Sequence, residues 1–156
     1  MKTLILSLSI LLTFYGCDLL SDSSDDSTQV HKTVKDGGIE YSLDIPTNSF
    51  LLGDTLSISF RVKNFSTSTK VFYFANIQQL AYQVIDQEKN IATYYPNIVS
   101  PATSQFSLKP GEMKELNQIG LFKDHNGNYI NRGKYLLSVF LANNNSPKLE
   151  LNISVN

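Results

Sequence analysis

The sequence predicts an all-β protein, an immunoglobulin-like antiparallel β-sandwich of eight or nine strands. Three observations support this prediction. Apolar side chains recur at every second position, turn-forming residues separate these stretches, and few stretches are rich in strong helix formers. Alternation at period two gives each strand one apolar face, and two sheets bury such faces by packing against each other.

The alternation is clearest in residues 39–45, 56–63 and 149–155, where polar residues stand between the apolar ones. Five further segments are predicted strands: residues 71–74, 80–86, 90–95, 112–119 and 134–142. Turn signals separate them, at residues 52–54, 64–69, 109–111, 126–128 and 143–147. We therefore expect one sandwich domain over residues 39–156.

The charge composition argues against a nucleic-acid partner. The chain has 156 residues, with 13 basic and 14 acidic side chains. Without a positive field to hold phosphates, the protein is not expected to bind nucleic acid. The sequence also contains no glycine-rich phosphate loop, so no cofactor is predicted.

The N-terminus reads as an export signal. Lys2 precedes residues 4–14, which are 11 largely apolar residues. Signal-peptide cores have roughly 7–15 such residues. A membrane-spanning helix needs about 20. The acidic stretch that follows offers nothing to pack against, which argues against a buried core helix.

The end of this apolar run carries Gly16 and Cys17, the chain's single cysteine. A small residue followed by cysteine resembles the lipobox of bacterial lipoproteins, although Phe14 and Tyr15 depart from its usual pattern. The resemblance implies a signal peptide at residues 1–16 and a lipid on Cys17. The protein is then exported and anchored to the cell envelope, at the outer membrane, with the leaflet left open. A plain secreted form is the alternative.

Residues 17–38 are predicted to be a linker. Residues 21–28 are polar and acidic and have nothing to bury. The acidic run resembles the export signal of some Bacteroidota lipoproteins, or it is a solvated spacer. His31 is expected to be exposed in this linker.

Four motifs occur in order in the body of the chain: Asn64-Phe65-Ser66, Phe74 followed by Gln78, Tyr82, Val84 and Asp86, then Leu108-Lys109-Pro110-Gly111-Glu112, and Gly133-Lys134-Tyr135. Together they resemble the BsuPI-like intracellular proteinase inhibitor family over roughly residues 40–142. The departures are Ile77, Leu80, Ala81 and the missing tryptophans. The resemblance implies a β-sandwich and proteinase inhibition, with no inhibitory residue to assign.

The motif residues also have structural explanations. Pro110 and Gly111 suit a tight turn, because proline fixes a negative φ and glycine tolerates a positive one. Gly133 is expected to permit a close backbone approach. Tyr135 is expected to form a tyrosine corner, in which its hydroxyl satisfies a backbone group.

Catalytic chemistry is poorly supported, so the protein is not predicted to be an enzyme. Its histidines are His31 and His125, and Cys17 is assigned to lipid. Zinc needs three or four converging ligands, which the sequence lacks. Glu112 and Glu115 read as ordinary strand residues, although a carboxylate pair in a cleft with shifted pKa values would revive a hydrolase.

Residues 124–128, Asp-His-Asn-Gly-Asn, place oxygen ligands at alternate positions, as calcium loops do. Tyr129 and Tyr135 stand where such a loop needs glycine and a bidentate glutamate. A turn rich in asparagine and glycine is the preferred interpretation, and calcium the alternative.

Aromatic residues offer a last candidate surface. Phe72 and Phe74 are predicted to face the core and Tyr73 to be half exposed. The alternative is an exposed platform that also includes Tyr94 and Tyr95.

The predicted function is a membrane-anchored, non-catalytic module that binds protein, with proteinase inhibition as its more specific form. The alternative is a structural or glycan-binding accessory lipoprotein of the cell envelope. Exposed aromatics in a groove would favour glycan, and a flat apolar edge would favour assembly.

Overall fold

The computed structural model describes residues 29–96, 101–143 and 145–156. The predicted signal peptide and Cys17 lie outside these residues. The described chain forms eleven strands: β1 (Val30–Asp36), β2 (Ile39–Ile45), β3 (Ser49–Phe50), β4 (Thr55–Asn64), β5 (Lys70–Phe74), β6 (Leu80–Ile85), β7 (Ile91–Tyr95), β8 (Ser104–Leu108), β9 (Met113–Leu121), β10 (Gly133–Leu141) and β11 (Leu149–Val155). Across these three stretches no helix is long and apolar enough to cross a membrane.

The strands form two large sheets and a small one. The front sheet has the order β1-β2-β4-β9, the back sheet β3-β11-β10-β6-β7, and the short sheet β5-β8. All pairs are antiparallel except β3 with β11. The predicted all-β sandwich is confirmed, while its immunoglobulin-like character stays a prediction.

The alternation seen in the sequence becomes one shared core. On β4, Leu56, Ile58, Phe60 and Val62 are buried, and Leu137 of the back sheet belongs to the same cluster. Each fully buried side chain of this size contributes about 1.5–3 kcal/mol through loss of apolar surface from water. The apolar faces of both sheets therefore hold the sandwich together.

The predicted number of strands was wrong, because β1, β3 and β8 were missed. The predicted linker was also wrong over Val30–Asp36, which pairs with β2 from Val30 opposite Ile45 to Asp36 opposite Ile39. Gly37 and Gly38 join these strands with φ of 55° and 81°. A two-residue hairpin turn with positive φ at both positions favours glycine. The sandwich therefore begins at Val30 rather than at Ile39.

Candidate functional site

The first and third motifs meet at Asn64, a fully buried residue at the end of β4. Its Nδ2 donates to the carbonyl oxygens of Leu108 and Ser68, each at 2.8 Å. Its Oδ1 accepts from the backbone N–H of Ser66 at 2.9 Å and from the Ser66 hydroxyl at 2.7 Å. All the hydrogen-bonding capacity of this amide thus joins two turns, so Asn64 acts in folding.

The Pro110-Gly111 turn is tight, as predicted. The N–H of Glu112 donates to the carbonyl of Lys109 at 3.0 Å, and Gly111 has φ of 81°. The Glu112 carboxylate accepts the N–H of Lys109 at 2.7 Å. The N–H of Gly111 donates to the carbonyl of Asn64 at 2.8 Å, which fixes the turn against β4.

The second motif is dispersed. Phe74 is 3% exposed and stacks on Phe106 with 5.5 Å between ring centroids. Asp86 closes the turn between β6 and β7 by accepting the N–H of Asn90 at 2.8 Å. Gln78 is half-buried beside β9, and its Oε1 has no hydrogen-bond partner in the described structure.

The fourth motif gives one confirmation and one correction. The Tyr135 hydroxyl donates to the carbonyl of Asn131 at 2.6 Å, which is the predicted tyrosine corner. Burial raises the pKa of Tyr135, and the negative charge of Asp86 raises it further. The prediction for Gly133 was wrong: a Cβ there would lie 3.8 Å from Cε2 of Tyr135, an ordinary contact.

The aromatic side chains do not form one platform. Phe72 and Phe74 are in the core, as predicted, whereas Tyr73 is 69% exposed, more than expected. Tyr73 lines a cavity of about 540 Å³. Tyr94 and Tyr95 line a different one.

The Asp124 loop is closed by its own backbone. Asp124 Oδ1 accepts the N–H groups of Asn126 and Asn128, each at 2.9 Å, and Gly127 has φ of 84°. Desolvation raises the pKa of Asp124, but these amide hydrogen bonds and nearby His125 outweigh it, so the pKa is lowered. Within the described residues, no three His, Cys, Asp or Glu side chains converge to hold a metal.

A polar network that the sequence analysis missed lies on the outer face of the front sheet. His31 Nδ1 lies 2.7 Å from Asp44 Oδ1, and Thr33 Oγ1 lies 2.7 Å from His31 Nε2. Arg61 Nη2 donates to the other oxygen of Asp44. Thr33 Oγ1 also donates to Ser42 Oγ at 3.3 Å. His31 is exposed as predicted, but it lies on a strand rather than in a linker.

Asp44, His31 and Thr33 follow the hydrogen-bond order of a catalytic triad. Two features argue against nucleophilic chemistry. The Arg61 guanidinium shares the carboxylate that would orient the imidazole, and neither His31 nor Thr33 is among the described lining residues of the four surface cavities. The network instead holds β1 against β2 and β4.

A cavity of about 530 Å³ opens at one end of the back sheet. Its described lining includes Lys134, Leu136 and Asn152, and Asp86 is the one carboxylate among these lining residues. Glycoside hydrolysis needs two carboxylates flanking one bond. The residues that line this cavity do not supply that pair.

The four edges of the two large sheets differ in how they are protected. Natural edges are usually short, charged or interrupted by bulges, because a free edge can pair with another chain. Strand β1 carries Lys32 and Lys35, β3 has two residues, and β7 follows a register shift at Val84/Ile85. Strand β9 has nine residues and a regular register; it carries Lys114 and Glu115 near its start and no charged residue from Leu116 to Leu121. In the described structure β4 is the one strand that pairs with β9.

Side chains of β9 alternate between two surroundings. Met113, Ile119 and Leu121 are exposed on the outer face, and Ile119 is 68% exposed. Leu116, Gln118 and Gly120 lie on the inner face and are half-buried. The second half of the free edge is therefore flanked by apolar Ile119 and Leu121, whereas Glu115 and Asn117 occupy the outer face before them.

A groove runs between β9 and the strands β6 and β7, which Tyr82 bridges at Gly120, and it contains two cavities. The Gln78 cavity, of about 320 Å³, is lined by Ile77, Gln78, Gln79, Leu80, Tyr95, Leu116, Asn117 and Gln118. The Tyr82 cavity, of about 370 Å³, is lined by Tyr82, Thr93, Tyr94, Tyr95, Gln118, Ile119, Gly120, Leu121, Lys123, Asp124, His125 and Gly127. Both cavities share Tyr95 and Gln118, so they are neighbours along β9.

Gly120 determines the shape of this groove. A Cβ at this position would lie 2.0 Å from the Tyr82 hydroxyl oxygen. Tyr82 stacks on Tyr95 with 5.8 Å between ring centroids and 11° between ring planes. Burial, followed by nearby Tyr95, raises the pKa of Tyr82. The sequence signal for Gly120 was a lone glycine inside a strand segment, which often marks a close approach.

The sequence matches no protein-family model and no curated protein sequence. Among solved structures, an alkylpurine DNA glycosylase from Pseudomonas fluorescens is similar at 12% identity, with a TM-score of 0.50, over 76% of this chain and 30% of that one. A β-glucosidase from Listeria innocua is similar at 16% identity, with a TM-score of 0.44, over 82% and 16%. A CARDB domain from Pyrococcus furiosus is similar at 15% identity, with a TM-score of 0.39, over 82% and 90%. The likeness to the glycosylase concerns the fold alone.

Proposed function

We propose that this chain is a membrane-anchored, non-catalytic β-sandwich that binds a partner protein along β9. The observation that carries the proposal is the free edge of β9 in the described structure, which is uncharged from Leu116 to Leu121 and has exposed Ile119 and Leu121 beside it. Anchoring is proposed from the lipobox-like sequence ending in Cys17.

The backbone chemistry of an edge strand defines what can bind there. Every second residue of β9 directs its N–H and C=O away from β4, its hydrogen-bonded neighbour. An extended segment of another protein can satisfy those groups by adding a strand, and pockets for alternate side chains then give specificity. Gln118 Nε2 already donates to the carbonyl of Ile119 at 2.7 Å, so its side chain moves aside on binding.

Proteinase inhibition is the narrower form of this proposal and is supported by the resemblance to the BsuPI-like family. If the β9 edge carries inhibition, Leu121→Asp abolishes it, whereas Val71→Asp, at an exposed position on the short sheet, does not. Residual proteinase activity with each full-length variant measures this. Equal inhibition by both variants would place the inhibitory contact elsewhere.

Binding itself is tested by photocrosslinking in the native envelope. A photoreactive side chain replaces Ile119 in the full-length lipoprotein, and a second version carries it at Val71, which is also exposed. We expect a discrete protein adduct from position 119 that Leu121→Asp removes, and none from position 71. Identical adducts from both positions, or none from position 119, would refute binding at this edge.

Glycan binding is a second candidate, favoured by Tyr94. This ring is 45% exposed and lines the Tyr82 cavity together with the polar side chains of Thr93 and Gln118. Isothermal titration with oligosaccharides from the envelope tests it. A glycan that binds the native protein but not Tyr94→Ala would replace protein binding as the function of this groove.

A further inference from the structure

The cavity of about 540 Å³ that Tyr73 lines lies between the β1–β2 turn, β5 and the loop that follows β10. We name it the Tyr41 cavity, and its described lining includes Asp36, Tyr41, Lys70, Tyr73 and Asn143. It shares no described lining residue with the two cavities of the β9 groove. Small-molecule sites usually measure about 300–1,000 Å³, so this cavity has the size of such a site.

Tyr41 places an unpaired hydroxyl group in this cavity. The residue is 4% exposed, and its hydroxyl has no hydrogen-bond partner among the described residues. The hydroxyl is not one of the unpartnered polar atoms that are sealed from solvent, so it opens to the cavity. Polar groups on buried residues are usually hydrogen-bonded, which makes this hydroxyl a point where a ligand is expected to bind.

The Tyr41 hydroxyl can form two kinds of hydrogen bond. Burial, followed by the negative charge of Asp36, raises the pKa of Tyr41, so the phenol stays protonated at neutral pH. A protonated phenol donates one hydrogen bond and also accepts. It therefore suits a ligand group that both donates and accepts, such as another hydroxyl.

Two opposite charges line the cavity without ion-pair partners. They are the Asp36 carboxylate and the Lys70 ammonium, whereas the ion pairs of the described structure are formed by His31, Lys35 and Arg61. An anionic ligand would be repelled by Asp36 and a cationic ligand by Lys70. The charges therefore favour a ligand without net charge, and both can still take part in hydrogen bonds with it.

An aromatic ring and an oriented amide complete the lining. Tyr73 is 69% exposed, so a face of its ring is open to a ligand. The Oδ1 of Asn143 accepts the N–H groups of Asn145 at 3.2 Å and Ser146 at 3.0 Å, which orients the amide and leaves its Nδ2 group available to donate. Sugar rings match this combination, because their C–H groups pack on an aromatic face and their hydroxyls both donate and accept.

We propose that the Tyr41 cavity binds a neutral saccharide, with one sugar ring against Tyr73 and one sugar hydroxyl bonded to Tyr41. The site lies outside the β9 groove. The proposal is therefore independent of protein binding along β9 and of a glycan beside Tyr94.

Isothermal titration of the full-length protein tests the proposal, in a detergent without a sugar head group. The probes are four neutral disaccharides: maltose, cellobiose, lactose and N,N′-diacetylchitobiose. We expect at least one of them to bind with a Kd of about 1 mM or lower. Tyr73→Ala should weaken this binding by at least about tenfold, because the ring face is lost. Tyr41→Phe, which keeps the ring, should weaken it about three- to tenfold, the effect of one hydrogen bond.

Tyr94→Ala is the matched control, because it removes an exposed tyrosine from the other candidate site. It should leave the affinity unchanged. Weaker binding in Tyr94→Ala, with none in Tyr73→Ala or Tyr41→Phe, would place the sugar in the groove and overturn the proposal. Absence of binding by all four disaccharides, or binding of L-phenylalanine in their place, would also overturn it. A missing crosslink from position 119 together with sugar binding that depends on Tyr73 would refute protein binding along β9 and support the proposal.

Discussion

Gly120 on β9 and Tyr82 on β6 are in a close contact that joins the two sheets, since a Cβ at residue 120 would lie 2.0 Å from the Tyr82 hydroxyl oxygen. Residues on strands that are distant in the sequence thus determine each other's identity. The same contact places the Tyr82 ring in the groove beside the free edge of β9.

Gly120→Ala should destabilise the fold, because the new methyl group forces Tyr82 out of its position. Overpacking of this kind costs about 1–3 kcal/mol. Tyr82→Phe in the same chain should restore part of the loss by removing the clashing oxygen. Gly133→Ala is the matched control, since its methyl group would make an ordinary contact. Urea denaturation measures all four proteins, and equal stability of Gly120→Ala and Gly133→Ala would contradict the model of this contact.

Tyr135→Phe should lose about 1–2 kcal/mol of unfolding free energy, because the carbonyl of Asn131 loses its 2.6 Å donor. Tyr73→Phe provides the comparison at an exposed tyrosine. A surface substitution of this type changes stability by less than about 0.5 kcal/mol. If both variants unfold at the same urea concentration, the hydroxyl of Tyr135 does not act as a tyrosine corner.

Asn64→Ala should be among the more damaging single changes. It removes the amide that bonds to Leu108, Ser68 and Ser66 and leaves buried backbone groups without partners. Each unsatisfied buried group costs about 1–3 kcal/mol. We expect a loss of about 3 kcal/mol or more, measured by thermal unfolding. Asn117→Ala, at an exposed position on β9, should stay close to the parent protein.

The protein should lose stability at alkaline pH. Burial raises the pKa values of Tyr41, Tyr82 and Tyr135 above 10.0 in the folded state, and nearby Asp36, Tyr95 and Asp86 add to this, respectively. The neutral phenol is thus favoured in the folded chain, and the stabilisation is fully present below pH 10. As the pH rises through 10, the unfolded chain releases these protons first, so unfolding becomes more favourable.

Urea midpoints between about pH 8 and pH 11.5 measure this effect. The slope of stability against pH should be smaller in Tyr82→Phe than in the parent protein, whereas Tyr73→Phe should leave it unchanged. A stability that stays constant above pH 10, or a slope that Tyr82→Phe does not alter, would contradict the assignment to buried tyrosines.

The sequence predicted those parts of the fold that depend on local pattern. The inner face of β4 is fully buried, and its apolar residues occupy every second position: Leu56, Ile58, Phe60 and Val62. The sequence pattern therefore predicted β4 directly. Strand β1 lacked that signal, because an edge strand buries little apolar surface. Val30 and Val34 are the two apolar side chains on its inner face, and both are only half-buried. The Gly37-Gly38 turn was the signal that could have revealed it.

The sequence pattern could not predict the candidate site, for a different physical reason. The groove lies between Tyr94 and Tyr95 on β7 and Ile119 and Gly120 on β9. Topology, rather than proximity in the chain, brings these strands together. The motif residues that the sequence did highlight, such as Asn64 and Tyr135, are used inside the fold.

Amide hydrogen exchange of the full-length protein, alone and in complex with the partner identified by the crosslink from position 119, tests most directly whether β9 is the binding edge. We expect the bound partner to slow exchange in Met113–Leu121 and to leave Val30–Asp36, the edge on the opposite side of the front sheet, unchanged. Slower exchange in Val30–Asp36 with none in Met113–Leu121 would contradict it.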